Sequence, residues 1–135
     1  MKNIGVLLGL SLSLLGCTTV YRQPGLESAS RSGIAVIDLA SCGDDCPIIQ
    51  EIDGAWRGVG TFKQYEIKPG SRTVRFIYFN RGMTATNALI TRFEAKQGTT
   101  YGIRANVTGR RWAPEIFELS TGMVVSQIVD SGFAY

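Results

Sequence analysis

From residue 34 onward the chain divides into short β-rich runs separated by turn signals roughly every 8–12 residues. That rhythm leaves a sandwich or a small barrel of strands as the available architectures. The runs fall at 34–39, 48–52, 61–67, 73–79, 89–95, 101–107, 116–119 and 123–129. The cleanest is 101–107, where Tyr101, Ile103, Ala105 and Val107 share one face and Gly102, Arg104 and Asn106 the other. Run 34–39 is apolar until Asp38, as suits a central strand covered on both faces. No segment carries an i, i+3, i+4, i+7 stripe long enough for a packed helix. The expected fold is all-β: one small antiparallel β-sandwich of about seven to eight strands over residues 33–135.

Two turns stand out between the runs. Asp53-Gly54 ends run 48–52 with a good turn pair. Pro69-Gly70 lies between runs 61–67 and 73–79, where Pro presets φ and Gly accepts the positive φ of a type II turn. In a tight two-residue hairpin that pair twists the strands against their natural hand. The connection is therefore either wider than a hairpin turn or a link between strands of different sheets.

The N-terminal residues have another character. Lys2 precedes an apolar stretch over 4–15, the charged and hydrophobic regions of an export signal. As a helix those residues span about 18 Å, short of the roughly 30 Å hydrocarbon core, so a permanent membrane span is not expected. The stretch ends in Leu14-Leu15-Gly16-Cys17, which resembles the lipobox of bacterial lipoproteins. The resemblance implies a diacylglycerol thioether on Cys17, cleavage after residue 16 and further acylation of the new amino group. Two or three acyl chains make an effectively irreversible anchor. Thr18 in place of Asp after the cysteine implies transfer to the outer membrane, with the domain facing the periplasm. Residues 17–32 are rich in Gly, Ser, Thr, Gln and Pro and read as the lipidated N-terminus and a flexible tether. A free chain of that length reaches roughly 20 Å.

The segment from Tyr65 to Phe76, with its Lys68-Pro69-Gly70 turn, resembles the strand, turn, strand signature of PEGA-like and transthyretin-like periplasmic β-sandwiches. Followed by Phe93-Glu94-Ala95-Lys96-Gln97-Gly98-Thr99-Thr100-Tyr101, it is similar to small Gram-negative lipoproteins of unassigned role, over about residues 48–125.

Chemistry is sparse. The chain has no histidine, which removes the ordinary general base for a serine, threonine or cysteine nucleophile. Glu115 and Glu118 stand three apart on one predicted strand, on opposite faces, and cannot converge on one bond. Gly58-Val59-Gly60 is followed by no helix N-terminus and is no phosphate loop. Asn106-Val107-Thr108 matches a glycosylation sequon by composition alone. The expectation is a protein that is not an enzyme and uses no cofactor. Cys42 and Cys46 flank Gly43-Asp44-Asp45, and in an oxidising compartment a local disulfide is favoured over free thiols or a metal or redox role. Asp44 and Asp45 lack the spaced acidic loop that cages calcium, so no metal is expected.

The formal net charge is +3, and cleavage would remove Lys2 from it. Nucleic acid is therefore not the expected partner, since that usually demands a strongly basic domain or stripe. Arg110-Arg111-Trp112 with Trp56 and Arg57 combines indole surface with guanidinium groups, a composition enriched at binding hot spots. Arg72, Arg75 and Arg81 add cations around run 73–79. The reading is a non-catalytic outer-membrane lipoprotein that binds another envelope component, a protein. The alternative is a module for cell-wall glycan or an inhibitor of a cell-wall hydrolase.

Overall fold

The computed structural model describes residues 20–43, 45–80, 83–84 and 87–130. Its strands are β1 (Val20–Arg22), β2 (Ala35–Asp38), β3 (Ile48–Ile52), β4 (Ala55–Trp56), β5 (Gln64–Ile67) and β6 (Gly70–Ile77). They continue with β7 (Phe79–Asn80), β8 (Met83–Thr84), β9 (Leu89–Ala95), β10 (Thr100–Thr108), β11 (Arg111–Glu118) and β12 (Gln127–Asp130). One sheet runs β1-β5-β2-β10-β11, the other β12-β9-β6-β3-β4, and β7 with β8 forms a separate small hairpin. The fold is an all-β sandwich, as the spacing of runs predicts. Eight strands of four or more residues correspond to the eight predicted runs.

The core lies between the sheets. Ile37, Tyr65, Ile67, Tyr101, Ile103 and Ile116 from the first meet Ile49, Ile52, Val74, Phe76 and Phe93 from the second. Each such burial contributes about 1.5–3 kcal/mol before chain entropy is subtracted. Two polar groups that enter this layer are satisfied. The Thr91 hydroxyl donates to the Val74 carbonyl at 3.3 Å, and the Tyr101 hydroxyl accepts from the Lys96 N–H at 2.8 Å.

Most pairings are antiparallel, but β1 runs parallel to β5 and β2 parallel to β10. Neither pair is joined by a hairpin, so local turn geometry does not dictate its sense. Pro69-Gly70 takes the second of its two options: β5 and β6 lie in different sheets, and Gly70 has a φ of 106°. Asp53 and Gly54 have φ of 51° and 77°, the double positive φ of a type I′ hairpin turn. The run predicted at 123–129 is divided between the sheets. The Glu118 and Val125 N–H groups bond to the Met123 and Ile116 carbonyls, which lays 123–125 along β11 before β12 joins β9. β11 begins at Arg111, well before the predicted 116, because an edge strand tolerates Pro114, which has no N–H to offer a neighbour.

Residues 20–32 correct the expectation of a flexible tether. β1 pairs with β5 in register Val20↔Gln64 to Arg22↔Glu66, and Arg22 holds Glu66 at 2.6 Å. Gln23 is buried, and Leu26 packs on Ile34 and Val36. The folded domain therefore already includes Val20 and the residues up to 32.

One direction in the fold matters below. Val20 and Asp38 both sit opposite Gln64, so β1 starts and β2 ends at the same pole, termed here the upper pole. β10 runs parallel to β2, which carries the β10–β11 turn to that pole as well. The Cys42–Cys46 loop joins β2 to β3 there and packs partly on the core. The two cysteines are bonded, with Cα atoms 5.2 Å apart. A loop this short contributes about 2 kcal/mol by chain entropy.

Candidate functional site

The five residues singled out for binding do not converge. β4 is the outer strand of its sheet, and Trp56 on it is 64 % exposed. Arg57 follows in the segment that leads to β5, its guanidinium bonded to the Gly60 carbonyl and lying 5.4 Å from the Phe62 ring centroid. That segment packs on β1, where Tyr21 and Phe62 meet edge to face at 5.7 Å. β11, by contrast, borders the other sheet at the opposite side, against β9 and β12. Trp112 is there, half-buried, stacked on Tyr78 with ring centroids 5.1 Å apart. Arg110 and Arg111 are exposed at the turn just before it. The sequence proximity of Arg110, Arg111 and Trp112 survives, as does that of Trp56 and Arg57, but the two groups occupy opposite edges.

The other arginines are engaged elsewhere. Arg72 is paired with Asp53 at 2.7 Å, and Arg75 donates to the Gln50 side chain at 2.9 Å. Arg81, Asp44 and Cys17 lie outside the described residues. Glu115 pairs with Arg104 at 3.6 Å, while Glu118 accepts from the Ser120 hydroxyl. Neither carboxylate is aimed at the other. Among the described residues no group of three or more His, Cys, Asp or Glu is placed to hold a metal ion. An open depression of about 470 Å³ lies at the lower pole between Gly98–Thr100 and Glu118–Ser120, far from both tryptophans.

Exposed apolar residues add to both groups. Val59, 88 % exposed, stands beyond Trp56 on the β4 side. Phe79 at 50 % and Val107 at 47 % surround the Trp112 end of the molecule. The signal for Val107 was present in the sequence: it shares the inward face of β10 with Tyr101 and Ile103, and β10 outruns the opposing core. Its cross-strand partner is Trp112. For Val59 and Phe79 no local pattern distinguishes an exposed residue from a buried one.

Beneath the Trp56 edge, Tyr65 completes the aromatic cluster, 5.5 Å from Tyr21 and 5.8 Å from Phe62. Burial pushes its phenol from an ordinary value of 10.0 up to about 12, with Arg57 pulling the other way. The unfolded chain then releases this proton before the folded one does. The contribution to stability is whole below pH 10 and is lost as pH rises from there toward 12. Urea unfolding across that range is expected to show a falling free energy whose slope lessens in Tyr65→Phe. An unchanged slope would assign the loss to other groups.

No family model, curated protein or solved structure matches this chain.

Proposed function

We propose that the chain is a non-catalytic, lipid-anchored protein of the outer membrane whose periplasm-facing β-sandwich binds a protein of the envelope through its β4 edge. The observation that carries the binding reading is the edge itself. Among the described residues β4 has a neighbour on one side only, its indole Trp56 is exposed, and the nearly bare Val59 follows three residues on. An open strand edge offers backbone groups for an added strand, and a projecting tryptophan is the residue type most enriched at hot spots. The anchoring reading draws its support from Leu14-Leu15-Gly16-Cys17. The placement of Trp56 and Trp112 on opposite edges supports the protein reading over a glycan site built from both indoles.

A photo-crosslinker at Val59 in living cells is expected to give one discrete adduct, reduced more than tenfold by Trp56→Ala, as a hot-spot loss of about 2 kcal/mol implies. The same crosslinker at Gln97 on the lower pole serves as the control. Equal adducts from both positions, or an adduct indifferent to Trp56, would remove the β4 edge from the proposal. Intact-mass measurement of the native protein tests the anchor: acyl groups on Cys17 are expected, and the mass of bare polypeptide would refute it.

A further inference from the structure

Because Val20 is already paired in the sandwich, the connection from Cys17 is at most three residues. Fully extended, it covers about 10 Å. On the anchored reading, which this inference requires, an acylated Cys17 brings Val20 and the pole around it to within that distance of the lipid headgroups.

The composition of that pole fits such a neighbour. Arg110 and Arg111 are exposed at the tip of the β10–β11 hairpin, and Lys63 is exposed beside Leu39, whose N–H bonds to the Lys63 carbonyl at 2.9 Å. Among the described acids at this pole, the Asp38 carboxylate is occupied by the Gln64 side chain and the Ala40 N–H, Asp45 lies exposed in the disulfide loop, and Asp130 ends β12 opposite Ile90. Phe79 and Val107 are about half exposed, and the indole of Trp112 is only partly covered. Tryptophan at the headgroup level, apolar side chains beneath it and cations among the phosphates are the groups a bilayer surface selects. The lower pole also carries exposed apolar groups, Leu119 and Met123, with the acids Asp53, Glu94 and Glu118 among Arg72, Lys68 and Lys96, so it is the short connection to Cys17 that selects the upper pole.

The hairpin tip also has the right reach. Thr100 and Tyr101 pair with Val36 and Ile37, so β10 continues beyond the end of β2 by about 20 Å, and it stands about 15 Å from β1 across the sheet. A plane touching both the leash and the tip holds the sandwich tilted, with its lower pole away from the membrane. We propose that the upper pole is a bilayer-apposed face, in which Arg110, Arg111 and Lys63 meet anionic lipid phosphates while Phe79, Val107 and Trp112 enter the headgroup layer.

The test uses the native acylated protein in vesicles of phosphatidylethanolamine and phosphatidylglycerol. Thr108→Cys at the hairpin tip and Gln97→Cys at the opposite end of β10 are both exposed. With Cys17 acylated and Cys42 bonded to Cys46, the new thiol is the sole labelling site. Energy transfer to a headgroup-linked acceptor is expected to be at least twofold more efficient from position 108 than from 97. In Arg110→Glu with Arg111→Glu, that advantage is expected to fall by half or more at low salt. Equal transfer from the two ends of an acylated preparation overturns the orientation and leaves this pole to a protein. An advantage untouched by charge reversal overturns the phosphate contacts. A bare polypeptide mass in the same sample removes the anchor, and the proposal with it.

Discussion

Asp53→Ala is expected to destabilise the sandwich by about 3 kcal/mol, because the lost bonds to its carboxylate are exposed or part-buried and each falls short of the roughly 1.5–3 kcal/mol of a buried charged acceptor. The carboxylate accepts from the Thr73 N–H at 3.0 Å, the Gln23 side chain at 2.7 Å and the Arg72 guanidinium at 2.7 Å. The Arg72 pair is part-exposed and accounts for no more than about 1 kcal/mol of this. Gln23 in turn accepts from the Lys68 N–H at 2.9 Å, and its own backbone N–H donates to the Glu66 carbonyl. One residue in the β3–β4 turn of one sheet thus fixes the N-terminal segment against the other sheet. Conformation adds a second cost, because Asp53 has φ of 51° and alanine in the left-handed region pays about 1–2 kcal/mol that aspartate partly escapes.

Two further substitutions divide these causes. Asp53→Gly relieves the backbone and loses every bond, so it should recover only the conformational part. Asp53→Asn tolerates the left-handed region and keeps an acceptor for Thr73, so its loss should be about 1 kcal/mol. Urea unfolding orders the series, and limited proteolysis within residues 24–32 reports where the chain opens. Faster cleavage in Asp53→Ala than in Asp53→Asn is expected. Equal cleavage in both would mean that β1 is held by its pairing with β5 alone. On the anchored reading, release of this segment also restores a long leash, and energy transfer from position 108 should decline.

The same clasp explains what could be read from the sequence and what could not. The alternation of Tyr101, Ile103 and Ala105 announces β10 because each residue's face is a local property of the strand. Asp53-Gly54 and Cys42/Cys46 are equally local, and both appear where expected. Val20–Arg22 is only three residues long and has no hairpin partner; its place depends on Gln23 finding Asp53 thirty residues away. Composition alone made that stretch look unattached. The candidate binding residues fall into two groups for a related reason. Which edge a strand occupies follows from sheet order, and nothing near Trp56 or Trp112 encodes that β4 and β11 finish on opposite sides. What the sequence did carry was the pairing of neighbours: Arg110 and Arg111 with Trp112, and Arg57 with Trp56.

Gly102→Val is expected to cost about 2 kcal/mol, in the range for overfilling a packed site. Gly102 has ordinary extended backbone, so the demand is for space. A Cβ there would lie 2.5 Å from Phe117 Cζ and 2.9 Å from Cε2. The two residues are direct cross-strand partners on β10 and β11, and the ring lies over the glycine on the outer face. Arg104 then covers the ring at 4.8 Å from its centroid and extends toward Glu115. A valine forces the ring outward, which breaks the cation–π contact and uncovers the strand pair. Against this, replacing a strand glycine recovers about 0.5–1 kcal/mol of backbone entropy. The sign should therefore reverse once the ring is absent: in a Phe117→Ala background, Gly102→Val is expected to be neutral or stabilising by up to about 1 kcal/mol. A double-mutant cycle by urea unfolding measures the difference, and a coupling of about 2 kcal/mol between such neighbours is expected. Additive losses would show that the ring swings clear at no cost, and that Gly102 is required by something other than Phe117.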